Sequence, residues 1–286
     1  MTPPQARLAI HLAAILFGLT GVFGELIQSD AAVITLGRAA FAVLALVAVA
    51  RAGRQRRHAV VRGLNARKLA VLAGAGLLLA VHWVTFFVSV KVGGIAIATL
   101  GFASFPAFIA LFEVLVLRQR IQHAEWFMLA LVTVGLALVT PSFDFGDAGV
   151  VGLAWGLASG FAFAMLAVAN RYAAGGIDSL QVAVWQNLTV VLVLLPFGAA
   201  PLVAAPAMDW FWLLLLGVLC TGLSHYLFVA SLNVLSARSA GLVIALEPVY
   251  AIGFAWLLFD QAPGVRMLAG AALIVAAIVW SGLHKK

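Results

Sequence analysis

Charge is what this sequence has least of. Only 9% of its 286 residues are Asp, Glu, Lys or Arg, and 65% are hydrophobic; soluble domains sit near about 25% and about 45–50%. A soluble globular domain is excluded, and a polytopic membrane protein is indicated. Cysteine is nearly absent as well. Cys220 stands alone inside an apolar run, which rules out a disulfide framework and a thiol metal site. No HExxH, GxGxxG or GxxxxGK occurs, and none of the six histidines has another three or four residues away. Ser224 and His225 resemble a nucleophile and base, but helical neighbours diverge by roughly 100° and cannot form a dyad. Asn187-Leu-Thr189 matches a glycosylation sequon yet lies within an apolar run. Neither an enzyme nor a cofactor is expected.

What is abundant is long apolar sequence. Runs near the length that crosses a bilayer as a helix, about 17–25 residues, fall at 7–27, 31–50, 69–90, 95–117, 124–140, 150–170, 180–197, 211–232, 240–259 and 267–283. The first is long for a signal peptide and lacks a clear cleavage site, so it is expected to be retained. The formal charge of +7 does not suggest nucleic acid, because the basic residues cluster between apolar runs. With a cytoplasmic N-terminus, 14 of the 17 Lys and Arg lie on the inner side, leaving Arg38, Lys91 and Arg266. The positive-inside rule therefore places both termini in the cytoplasm. Trp126, Trp210, Trp212 and Trp280 fall near span ends and are expected to act as interfacial anchors. The longest polar segment, 51–68, is cytoplasmic in this scheme, so function is expected between the helices.

A shift of 142 residues lays 83–106 (WVTFFVSVKVGGIAIATLGFASFP) over 225–248 (HYLFVASLNVLSARSAGLVIALEP). Seven of 24 positions agree, among them Ser89 with Ser231 and Pro106 with Pro248. Duplication follows, giving repeats at 1–143 and 144–286. Five spans per repeat is odd, so the second copy is inverted. Inverted repeats place a site near the midplane and suit alternating access. The expected fold is an all-α integral membrane protein of ten transmembrane helices in two inverted five-helix repeats.

These features resemble the drug/metabolite transporter superfamily, EamA type: the basic loop after the second span, Arg38 within that span, the Pro106 and Pro248 helices, and LEPVYAIGFAWLLF. The resemblance implies ten helices from a duplicated five-helix unit, and is nearest to the YddG-type aromatic amino acid exporters. The sequence departs from the family where Gly-Glu often follows the proline helices. Here Arg118-Gln119-Arg120 and Asp260-Gln261 stand there, so no role tied to those acids carries over.

Glu247 and Pro248 sit side by side within an apolar run. Proline removes a helical hydrogen bond and disfavours helix at the residue before it, so Pro106 and Pro248 are expected as kinks or hinges facing protein or water. A carboxylate at that depth is a functional candidate by default; otherwise it is protonated or satisfies a neighbouring helix. Helical spacing sets Glu247, Tyr250, Ala251 and Phe254 on one side. His82 and Trp83, and His225 with Tyr226, occupy adjacent register positions in the two repeats, as substrate contacts or as hydrogen-bonded core. Trp185, Gln186 and Asn187 form a polar and aromatic patch open to interhelical bonding or to binding. Phe86, Trp155, Phe161 and Phe163 are further candidates for an apolar, aromatic-lined pocket. Arg38 is expected to snorkel to the outer interface, although a substrate carboxylate could meet it. Glu113 is expected to pair with Arg118 or Arg120. Gly152, Gly156 and Gly160, like Gly18, Gly21 and Gly24, serve close helix packing or leave room for a moving wall.

A channel would need repeated polar rings along a pore, and none is apparent. Phosphorylated substrates would need several buried cations. The resulting expectation is an exporter of amino acids, aromatic ones preferred, in a bacterial inner membrane. The alternative is a multidrug or organic-cation exporter of the same superfamily. The expected partners are a small solute and the bilayer, with no nucleic acid and no required oligomer.

Overall fold

In lipid every backbone polar group must be satisfied within the chain, and helices achieve this one segment at a time. The computed structural model describes residues 2–52, 60–116, 118, 123–140, 146–172, 177–232, 234–235, 243–244 and 246–284, and among them regular structure is helical throughout. The elements are α1 (Pro3–Leu26), α2 (Ala31–Ala52), α3 (Ala66–Phe102), α4 (Phe105–Leu115), α5 (His123–Val139), α6 (Ala148–Tyr172), α7 (Ser179–Val203) and α8 (Ala207–Gly217). A π-helical turn (Val218–Leu223), α9 (Ser224–Leu232), α10 (Glu247–Phe259) and α11 (Val265–His284) complete them. Six helical stretches are long and apolar enough to cross a bilayer, and three shorter apolar ones join them. The chain is a multi-pass membrane protein.

Two of the expected spans are interrupted. Helix α3 is two helical segments that meet at a kink where the loop is expected, at Gly94 with φ 82° and ψ 169°, a backbone conformation essentially confined to glycine. It stops at Phe102, and α4 begins at Phe105 after a turn in which the Ser104 hydroxyl donates to the Gly101 carbonyl at 2.7 Å. In the ninth span Val243 and Ile244 are helical, and a fresh helix starts at Glu247 after a turn at Leu246. Pro106 and Pro248 are each the second residue of a helix that follows a break in its span. That position tolerates proline because the missing N–H would have no helical partner there anyway.

Helix pairs follow a regular scheme. Helix α3 packs on α6 and α7, α2 on α7 and α8, α1 on α9 and α10, and α5 on α11. Glycines permit the closest of these approaches. A Cβ on Gly152 would lie 2.5 Å from the Cα of Gly93, one on Gly156 3.2 Å from that of Gly101, and one on Gly160 2.9 Å from the Phe102 carbonyl oxygen. In α1, Gly18, Gly21 and Gly24 meet Tyr250, Ile95 and Phe87. Both glycine series serve packing.

Side-chain bonds tie the connections together. Asp209 accepts from the backbone of Gln28 and Ser29, and Lys91 donates to the Ile27 carbonyl of the same turn. Arg266 donates to the Thr140 carbonyl, and Gln181 and Trp185 of α7 donate to the Arg62 and Val60 carbonyls. Trp126, Trp210 and Trp280 are exposed. Trp212 instead packs on Phe23, its ring centroid 6.0 Å away, because the α8 face that carries it turns toward α1. Arg54, Arg56, Arg57, Arg238, Lys285 and Lys286, and the side chains of Glu113 and Arg120, lie outside the described residues.

Candidate transport site

Arg38 is the eighth residue of α2, about 10 Å along the helix at 1.5 Å per residue. It does not snorkel. Its side chain is 3% exposed, because α2 presents that face to α8 and α3. The guanidinium lies over the Trp83 ring, 4.1 Å from the centroid, and 5.4 Å from that of Phe87. Nε and Nη2 both donate to the Thr221 hydroxyl, at 3.1 and 2.9 Å. That hydroxyl donates in turn to the Leu216 carbonyl five residues back, a reach made by the π-helical turn. Nη1 is enclosed and has no partner among the described residues.

A web of rings leads away from Arg38. Phe87 meets Phe86 edge-on at 5.6 Å, Phe86 lies 6.4 Å from His82, and His82 is 5.0 Å from both Phe102 and Phe163. Phe105, at the start of α4, stacks on Phe102 at 5.2 Å. Nδ1 of His82 lies 3.2 Å from the Ser159 carbonyl and 2.8 Å from its hydroxyl, which itself donates to the His82 carbonyl. A carbonyl only accepts, so Nδ1 carries the proton, and in the neutral ring Nε2 remains an acceptor.

Glu247 opens α10, where the helix dipole favours a carboxylate in the first turn. It lies within electrostatic reach of Arg38. Beside it, the Tyr250 Cβ lies against the Gly18 position of α1. Tyr250 and Phe254 are half-buried and Ala251 is buried.

The α7 patch does not converge. Successive helical residues point about 100° apart, so Trp185 Nε1 donates to the Val60 carbonyl at 2.8 Å and Gln186 to Asn170 Oδ1 at 2.7 Å. Asn187 donates to the Ala183 carbonyl of its own helix, which leaves its enclosed Oδ1 without a partner among the described residues. Trp155 is 41% exposed and takes no part in the ring web, and Phe161 is exposed as well. Tyr226 is 52% exposed and its neighbour His225 half-buried. The Ser224 hydroxyl bonds backwards to the Cys220 carbonyl at 2.7 Å. The structure therefore brings His82, Trp83, Phe86, Phe163 and Arg38 together, with Glu247 within reach of the arginine. It holds Trp155, Trp185 and Gln186 elsewhere.

Residues 6–140 and 150–283 each match the EamA-like transporter family. The pseudopaline exporter CntI of Pseudomonas aeruginosa is 25% identical over 224 residues, 78% of each chain. Protein RarD of Streptomyces exfoliatus is 27% identical over 296 aligned positions, 94% of this chain and 86% of its own. A solved crystal structure, 18% identical, aligns over 99% of this chain and 98% of its own with a TM-score of 0.66, which speaks for a shared fold. Matched along nearly its whole length, this multi-pass membrane protein belongs to the EamA-like transporter family.

Proposed function

We propose that the protein is a secondary transporter of ten spans in two inverted halves, exporting amino acids, aromatic ones preferred, by alternating access. In this reading it sits in a bacterial inner membrane with both termini cytoplasmic. Two separate family matches support the duplication. So does a packing detail that occurs twice. A Cβ on Gly217 of α8 would approach the Arg38 carbonyl oxygen and the Phe41 Cβ, and one on Gly76 of α3 would approach the Gln186 carbonyl oxygen and the Thr189 Cβ. The offsets agree, since 186 − 38 = 148 and 189 − 41 = 148. Inversion is supported by α5 and α11: Gly135 meets Gly270, while Met128 and Ala277 share a buried cluster. Adding 142 to 135 gives 277, and taking 142 from 270 gives 128.

The observation that carries the substrate class is the ring web around His82, set beside the break that opens α4 and continuous with a buried cation that has a carboxylate in reach. A flat apolar body suits the rings, and a zwitterionic head suits separated opposite charges. The exporter name of a relative favours the outward direction. A multidrug or organic-cation exporter would use Glu247 alone, and the buried Arg38 opposes a cationic substrate.

Uptake of labelled phenylalanine into liposomes holding the purified protein, competed by threonine, an organic cation and a sugar phosphate, is the test. Saturable phenylalanine uptake that the organic cation leaves untouched is the expected result. Saturable movement of the sugar phosphate or the cation alone overturns the reading.

A further inference from the structure

We propose that Arg38 is the carboxylate anchor of the transport site, receiving an anionic substrate group on its free Nη1 edge. The inference rests on the reading of this region as the site of transport.

A guanidinium has five N–H donors in a planar fork. Here one edge is committed, because Nε and Nη2 share the Thr221 hydroxyl, and the rings of Trp83 and Phe87, one turn apart on α3, lie against the guanidinium. Those contacts fix the plane and direct the remaining edge, Nη1 with the second proton of Nη2, into the protein. A buried donor without an acceptor is costly, more so on a cation in a low-dielectric interior. A carboxylate fits that edge with two parallel charge-assisted bonds.

Two further observations agree. Thr221 reaches the guanidinium from a π-helical turn, a distortion found often at functional sites. Glu247, Cys220 and His82 are titratable groups in electrostatic reach of Arg38, yet none supplies Nη1 with a hydrogen bond. A cation with a carboxyl group in electrostatic reach but not bonded to it leaves both groups available to a solute that carries both charges.

The test uses the purified full-length chain and three acids, phenylalanine, threonine and lactate, each beside its own amide. Affinity is read as ligand-induced thermal stabilisation and as competition in liposome uptake. Wild type should hold an acid at least about tenfold tighter than its amide. R38Q should weaken acid binding about thirty-fold, the equivalent of a lost charge-assisted bond, while changing amide binding less than about threefold. T221V, which keeps the cation but frees its orientation, should erase part of the discrimination and stands in should R38Q fail to fold. If threonine or lactate binds and phenylalanine does not, the aromatic reading falls and the anchor stands, provided R38Q or T221V removes that preference. The anchor is overturned if no acid binds better than its amide, or if the variants weaken acid and amide alike.

Discussion

Asp209 ties the start of α8 to the turn between α1 and α2. It is 1% exposed at the start of α8 and accepts three bonds from the α1–α2 turn. Gln28 N donates to Oδ1 at 3.0 Å, and Ser29 N and Ser29 Oγ donate to Oδ2 at 2.9 and 2.6 Å. Lys91 fastens the same turn through the Ile27 carbonyl. Bonds to a charged acceptor are each worth about 1.5–3 kcal/mol, but the three share one carboxylate and do not add. Asp209→Ala strands all three donors in a turn that Lys91 still holds in place, and donors left together without an acceptor should cost about 3 kcal/mol. Asp209→Asn keeps one oxygen for the two Ser29 donors and sets its NH2 against the Gln28 N–H, so it should lose about half as much. Ser29→Ala removes one bond, about 1 kcal/mol. The buried, solitary Cys220 supplies the assay: a thiol-reactive fluorophore reports unfolding as the sulfur becomes accessible. The melting order should be wild type, Ser29→Ala, Asp209→Asn, Asp209→Ala. An alanine variant melting with wild type, or no lower than Ser29→Ala, refutes the reasoning.

Gly94→Ala should cost about 1–3 kcal/mol through backbone strain rather than crowding, since the added Cβ would have no neighbour nearer than 3.7 Å; the Cys220 melt reads it, and a neutral result removes the strain. Trp185→Phe loses the bond to the Val60 carbonyl and should lower stability by about 1 kcal/mol without altering apparent phenylalanine affinity; an affinity loss beyond about threefold would return Trp185 to the substrate. Glu247→Gln should raise the phenylalanine KM about tenfold or more and leave lactate, which has no ammonium, near its wild-type value. Equal effects on both solutes would make Glu247 structural.

The spans were legible because lipid leaves the backbone no other choice, so length and apolarity alone mark them. The breaks at Pro106 and Pro248 were legible as breaks, yet a kink and a fresh helix start share one sequence signal. Arg38 was misplaced for a definite reason: α2 is apolar around its whole circumference, so nothing in its pattern says which face meets α8 and which meets lipid. The turn VLCTGL carries no mark of π-helical geometry, so Thr221 could not be found as the partner. Asp209 falls between two expected spans and drew no reading from the sequence, since its three donors lie about 180 positions earlier in the chain. The three polar residues of α7 were visible as a cluster in sequence, but a helix separates in space what it joins in order.

In the duplication proposed above, Arg38 and Gln186 are equivalent positions by their matching glycine contacts, and they carry unequal chemistry. Helices α2 and α7 pack on each other, Leu36 against the Gly198 position and Leu46 beside Val184, so Arg38 and Gln186 stand apart along the pair, and a second arginine would add a second guanidinium to be satisfied. The second copy instead carries an amide, and that amide is spent on Asn170. The charge opposite Arg38 comes from Glu247, whose partner under the 142-residue shift is Phe105, a member of the ring web. One half thus supplies the cation and most of the rings, and the other supplies the anion. Reversing that division with Arg38→Glu and Glu247→Arg together would keep the net charge and turn the dipole around; if the site reads a zwitterion, the double variant should lose phenylalanine while each charge still has its opposite in reach.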